Sequence, residues 1–264
     1  HTGVIVATAP MLAPIRGGWL VTLLSWRWIF LLQAVLSAVA LVGVLRMEES
    51  LRPTTERPAI GQAAAAYLRL LANRRFLLVL FAVSTPGMPV FAFIGGSADL
   101  YITRLGFSEQ AFGYFFGGNA LAFVFAPLIF SRAVRRVRLI HLIRLALAGM
   151  FVSALLLLCP LLPLPWRLAL PMFLLTFSYA FCRPAGTNLI LEQVDRDTGA
   201  AASLMVFCHF MIGALAMVVF SLAWQDKILV LAMLGVAAVS VSLAFWLVVW
   251  RWIAPSAAAG KAEE

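Results

Sequence analysis

The sequence predicts an all-α integral membrane protein, and three observations carry that prediction. Hydrophobic residues fill 63% of its 264 positions and charged residues only 12%, with a mean hydropathy of +0.99, far outside the range of chains that fold in water. The apolar residues come in stretches of about 20, the length a helix needs to cross a hydrocarbon core of roughly 30 Å. Arginines and Pro/Gly turns collect in the segments between them, which leaves little chain for a soluble domain.

Breaking the sequence at these points gives eight candidate spans, over residues 3–24, 28–46, 76–99, 109–131, 139–159, 166–190, 199–223 and 228–250. The one long polar connection, 46–75, contains Pro53, Pro58 and an amphipathic stretch, 60–71, suited to lie at the membrane interface. It divides two spans from six. Alternate connections differ sharply in charge. One set carries Arg46, Arg52, Arg57, Arg69, Arg74, Arg75, Arg132, Arg135, Arg136, Arg138, Arg196, Arg251 and Lys261, the other only Arg27, Arg104, Arg167 and Lys227. Because basic loops stay inside, the first set, and the C-terminus with it, is expected in the cytoplasm. The same topology accounts for the net charge of +9 without a nucleic-acid partner, since no polar domain surrounds the arginines.

Cys159, Cys182 and Cys208 lie in or beside apolar segments with no CxxC spacing, so neither a disulfide framework nor a metal site is expected. The chain opens at His1 inside an apolar segment without a charged leader. We read it as part of a longer protein.

The first span contains Ala9-Pro10-Met11-Leu12-Ala13-Pro14-Ile15-Arg16-Gly17-Gly18, which resembles the antiporter motif in the fifth helix of proton-coupled drug exporters. Its prolines, Pro10 and Pro14, bend a helix, and Gly17 and Gly18 let neighbouring backbones approach closely. Further along come Ser25-Trp26-Arg27-Trp28, Phe93-Ile94-Gly95-Gly96-Ser97, Leu105-Gly106-Phe107-Ser108, Gly117-Gly118-Asn119-Ala120-Leu121 and Gly199-Ala200-Ala201-Ala202-Ser203. In order and spacing these are similar to the Bcr/CflA family, the bicyclomycin and chloramphenicol resistance exporters of the major facilitator superfamily. Arg16, Asp99 and Arg183 depart from what is usual at such positions.

The resemblance implies a partial major facilitator fold, about eight of twelve transmembrane helices. Residues 1–46 would be the last two helices of the N-terminal half, 47–75 the cytoplasmic connection, 76–251 the C-terminal six-helix half and 252–264 a cytoplasmic tail. It implies residence in a bacterial inner membrane and efflux of small molecules by alternating access, with protons as the coupled partner and the proton gradient in place of any cofactor. The missing N-terminal helices would be required, since they hold the family's coupling acids. Substrate identity and oligomeric state stay open.

Several residues are candidates for the cavity. Ser84-Thr85-Pro86-Gly87-Met88-Pro89 cannot keep an unbroken hydrogen-bond ladder, because two prolines lack donors, and a broken helix with freed carbonyls is expected there. Ser84, Met88, Ala92, Gly95 and Asp99 would share one face beside Phe91 if helical spacing survives. Asp99 is either a coupling carboxylate or a helix-end residue beside Arg104. Gly113 and Gly117 form a packing face, with Asn119 near it as a hydrogen-bond donor to a substrate or to a neighbouring helix. Arg183 either attracts an anionic group of a substrate or is structural, snorkelling to the interface or forming an ion pair for which Glu192 is a candidate. His209, on a face with Ala202, Val206, Gly213 and Ala216, is either a packing residue or a proton shuttle.

Two other functions stand beside transport. A truncated chain could persist as a transport-inactive fragment or membrane interaction protein. An intramembrane enzyme is the remote one, since no phosphate-binding loop, HExxH, GxSxG or paired intramembrane aspartates occur.

Overall fold

In the computed structural model, which describes residues 17–47, 60–159 and 162–259, every regular element is a helix or helical turn. Seven of them are long and apolar enough to cross a membrane. The first candidate span lies mostly outside the described residues; of it, 17–23 are helical. Then follow α1 (Trp26–Leu45), α2 (Ile60–Ala72), α3 (Arg74–Ser84), α4 (Met88–Ala98), α5 (Glu109–Ala133), α6 (Leu139–Leu158), α7 (Trp166–Leu191), α8 (Thr198–Ser221) and α9 (Lys227–Ala259).

Short polar residues start these helices. Ser25, Asn73 and Ser108 each accept a hydrogen bond from a backbone N–H two or three residues on, which satisfies one of the donors a helix start leaves free. Asn73 also donates through Nδ2 to the carbonyl of Gln193, 3.1 Å away, and so ties the start of α3 to the α7–α8 connection. α2, the amphipathic stretch, lies against the start of α8 with Ala66 and Leu70 buried and Leu68 and Leu71 exposed. α9 continues to Ala259, past residue 252 where the sequence places the start of the tail.

α3 to α9 form one packed body. α7 is its hub, pairing with α5 and α6, while α4 packs on α8 and α9 closes against α3, α4 and α6. Its core runs from Phe76 and Leu80 through Met150, Leu157, Leu168 and Leu175 to Leu231 and Val239, all fully or almost fully buried. α1 is different. None of its residues is buried, although it is predominantly apolar.

The expected break at Pro86 and Pro89 is instead a tightened turn. The helix runs continuously from Arg74 to Arg104, changing from α to a 3₁₀ turn at Thr85–Gly87, back to α, and then to a π-helical segment at Asp99–Arg104. The carbonyls deprived by the two prolines are those of Ala82 and Thr85, four residues before each. Ser242 Oγ of α9 donates to Ala82 O at 2.6 Å, and the Met88 N–H bonds to Thr85 O. Both carbonyls that the prolines deprive therefore have a donor.

Candidate functional site

That turn touches the most polar part of the interior. Tyr179 and Arg183 stand one helical turn apart on α7, and His209 faces them from α8. Arg183 Nη1 donates to Tyr179 Oη at 3.1 Å and lies 2.5 Å from His209 Nε2. Tyr179 Oη is 2.5 Å from the same nitrogen, with the two rings parallel. A guanidinium can only donate, so His209 accepts through Nε2 and carries its ring proton on Nδ1. His209 and Tyr179 are buried and Arg183 is half-buried.

The other walls are small or aromatic. A methyl group at Gly87 would come 3.1 Å from both His209 Cε1 and Tyr179 Oη, so the 3₁₀ turn rests on the cluster itself. Phe91 meets His209 edge-on, with ring centroids 5.1 Å apart, and Phe210 meets Phe91 in the same way at 5.6 Å. Arg183 has neutral partners only, and none of the ion pairs among the described residues includes it. As placed, the imidazole is neutral with Nε2 occupied by Arg183, and the remaining guanidinium donors can hold an anionic or carbonyl oxygen.

The structure thus brings together Phe91, Arg183 and His209 of the residues singled out in the sequence. Arg183 contacts Tyr179 and His209, the latter from α8, rather than Glu192, the candidate partner on its own side of the chain. The inward stripe of α8 is also shifted from expectation: Ala201, His209, Gly213, Ala216 and Phe220 are buried, and Val206 is exposed. Tyr179 and Gly87 were missed. Tyr179 had a signal, its position four residues before an intramembrane arginine; Gly87 had none, since its role depends on which helix it meets.

The remaining candidates lie apart from the cluster. The face shared by Ser84, Met88, Ala92, Gly95 and Asp99 does not survive the turn: Ser84 and Ala92 are buried, Met88 is partly buried and Gly95 is exposed. Asp99 accepts from Lys227 Nζ at 2.8 Å and pairs with Arg104 at 3.4 Å. Arg104 also donates to the carbonyls of Gln225 and Trp224. Asn119 donates to Thr176 Oγ1 of α7 at 3.1 Å. Pro10 and Pro14 lie outside the described residues. Gly18 sits against the start of α5, where an added methyl would come 2.9 Å from the carbonyl oxygen of Glu109, and nearby Trp19 Nε1 donates to Tyr114 Oη at 3.2 Å. A methyl group built at Gly17 meets no described residue within 4 Å.

Comparison with known proteins decides what kind of protein carries this arrangement. The sequence model of the Major Facilitator Superfamily matches residues 3–217. The chain belongs to the Major Facilitator Superfamily. Membership places it in a family of multi-pass membrane transporters rather than of enzymes, and it fits the helix-only architecture. Within the superfamily, the chain is 30% identical over 211 residues to a bicyclomycin resistance protein homolog of Haemophilus influenzae, covering 78% of this chain and 53% of the relative. It is 27% identical over 249 residues to an uncharacterized MFS-type transporter of Bacillus subtilis, covering 92% and 62%. The chloramphenicol resistance protein CraA of Acinetobacter baumannii is 23% identical over 206 residues, covering 75% and 49%. These relatives bear out the resemblance to the Bcr/CflA type of facilitator. The chain spans about half the length of the curated relatives it matches.

Proposed function

We propose that this chain supplies the last eight helices of a twelve-helix exporter that moves small lipophilic molecules, drugs of the chloramphenicol or bicyclomycin kind among them, out of a bacterial cell in exchange for protons. The observation that carries the reading is the buried Tyr179–Arg183–His209 cluster beside the 3₁₀ turn of α3–α4, within a superfamily whose members move solutes by rocking two helical halves about a central site. An arginine within an apolar span and without a carboxylate partner marks a functional site by default, because the same helix could carry an apolar residue at lower cost. His209 is the group in it with an imidazole to carry a proton, and it takes one on Nε2 only when Arg183, which now donates to that nitrogen, moves away. The proton gradient is the energy source, with no cofactor, metal or nucleic acid.

The halves divide at the connection containing α2. The arginine-rich connections and the C-terminus face the cytoplasm of the inner membrane. Gly18 against α5 belongs to the contact between the halves on the outer side, as the antiporter-motif resemblance of Pro10, Pro14, Gly17 and Gly18 implies. The wholly exposed apolar surface of α1 suits packing against further helices, so the chain by itself is expected to export nothing.

The test uses membrane vesicles from an exporter-deficient bacterium expressing the complete reading frame that contains this chain. Chloramphenicol or ethidium movement driven by respiration and abolished by a protonophore is expected, with Arg183→Leu and His209→Leu each lowering it by about tenfold or more. Movement that survives the protonophore and follows ATP instead would overturn the proposal.

A further inference from the structure

Arg183 is held through one nitrogen only. Its Nη1 donates to Tyr179 Oη and to His209 Nε2, while Nε and Nη2 have no partner among the described residues, yet neither is buried. These two groups carry the N–H bonds that lie parallel along one edge of a guanidinium, the edge that takes both oxygens of a carboxylate at once. The cluster therefore fixes one side of the arginine and leaves its bidentate side open.

The charge on that side has no counter-ion. The elements packed around it contribute Gly87 from the 3₁₀ turn, Phe91 from α4, Tyr179 from α7 and a histidine on α8 that accepts rather than donates, so every neighbour is neutral. Asp99 is taken by Lys227 and Arg104, and Asp197 by Arg69. Glu192 stands at the far end of α7. A cation in an apolar span is costly alone and is offset by an anion in good hydrogen-bond geometry, which a neutral acceptor matches only in part.

Aromatic rings flank the open charge. Phe91 and Phe210 both meet His209 edge-on, with centroids 5.1 and 6.0 Å away, and Phe123 meets Tyr179 at 6.4 Å. Phe210 is 60% exposed, and Phe91 and Phe123 are half-buried. Such rings attract another ring by stacking or edge contact beyond simple burial.

We propose that this site selects aromatic carboxylates, with the carboxylate bidentate on Nε and Nη2 of Arg183 and the ring against Phe91 and Phe210. Tyr179 and His209 act as positioning residues, since they hold Nη1 and so aim the fork. This names a solute class for the exporter, and its place in transport rests on the efflux reading, whereas binding itself requires no gradient.

The probes are 2-naphthoate and 2-naphthamide, which share ring and shape and differ in charge. The complete protein is purified into nanodiscs of zwitterionic lipid, radiolabelled 2-naphthoate is bound at neutral pH, empty discs are subtracted, and the amide serves as competitor. Saturable binding is expected, with the carboxylate about tenfold or more tighter than the amide, the usual span for charge-assisted hydrogen bonds. Arg183→Lys keeps the charge but not the fork and is expected to weaken 2-naphthoate by about tenfold. Arg183→Leu is expected to remove the difference between the probes, and Phe210→Leu to weaken both alike. Melting of each variant in the same discs separates lost recognition from lost fold. Equal affinity of the native protein for the two probes overturns the proposal, as it would if a carboxylate from further helices filled the fork. A preference that persists in folded Arg183→Leu, or full binding in Arg183→Lys, overturns it as well. Should carboxylate-selective binding that depends on Arg183 stand while the vesicles move no solute against protons, the efflux reading fails and this site does not.

Discussion

At Gly96 a single methyl group decides whether α4 can touch α8. A Cβ there would lie 2.1 and 2.3 Å from ring carbons of Phe220, and that ring is 1% exposed and has nowhere to go. Gly96→Ala is therefore expected to destabilise the chain by about 1–3 kcal/mol, the usual range for overpacking. Gly61→Ala on α2 meets nothing within 4 Å and is expected to be neutral or stabilising by up to about 1 kcal/mol through helix propensity. Thermal unfolding in a mild detergent, followed by circular dichroism, separates the two. Asp197 offers a test of backbone rather than packing. It precedes α8 with φ at +62°, a left-handed conformation that Asp tolerates and a β-branched residue does not. Asp197→Val is expected to cost about 1–3 kcal/mol, well above the cost of Asp197→Gly, which loses the ion pair with Arg69 but none of the backbone freedom.

At the scale of the element, the long helix from Arg74 to Arg104 shows how a proline-rich span stays whole. Pro86 withholds the N–H that Ala82 O needs, and a hydroxyl from α9 replaces it. Ser242→Ala then leaves a buried carbonyl unsatisfied, with an expected loss of about 1–3 kcal/mol. In a Ser242→Ala, Pro86→Ala double variant the new N–H of residue 86 can reach Ala82 O directly, and much of that loss is expected to return. A double-mutant cycle on melting temperature reads the coupling. Strict additivity of the two changes would mean that Ser242 acts by packing alone. Sequence reasoning found the two prolines and the helix they disturb. It expected freed carbonyls because the donor that removes one of them comes from a residue 160 positions away in the chain.

At the scale of the whole molecule, ion pairs hold the two ends of the bundle, and they differ in depth. At one end Arg69 pairs with Asp197 at 2.7 Å, with 63% of the arginine side chain exposed. At the other, Asp99 takes Lys227 at 2.8 Å, with only 9% of the lysine side chain exposed, and Arg104 alongside. Arg69→Ala is expected to change stability by about 1 kcal/mol or less and to lose even that in high salt. Asp99→Asn leaves a nearly buried ammonium without its anion, and its expected cost of about 1–3 kcal/mol persists in salt. Melting curves at low and high ionic strength check both. The second pair fastens the π-helical end of the α4 run to the α8–α9 connection, which is how Asp99 came to be a structural residue rather than part of the central cluster.

The sequence by itself determined the membrane class, the spacing and number of the spans that the structure describes, the amphipathic α2 and the family, because each of these follows from local composition, from periodicity along one helix or from colinear motifs. It also marked Asp99, Arg183 and His209, since a charged or titratable side chain in an apolar span is visible without neighbours, and offered Phe91 only as an aromatic beside the expected strip. Only the tertiary structure decided which of them meet. Arg183 turned out to face Tyr179 and His209 instead of Glu192, Asp99 to face Lys227, and Asn119 to spend one end of its amide on Thr176 with the other end unpartnered. The reason is physical: hydrogen bonds and ion pairs between helices depend on the crossing and rotation of elements far apart in sequence, and in an almost uniformly apolar chain the hydrophobic pattern that would report that rotation is too weak to read.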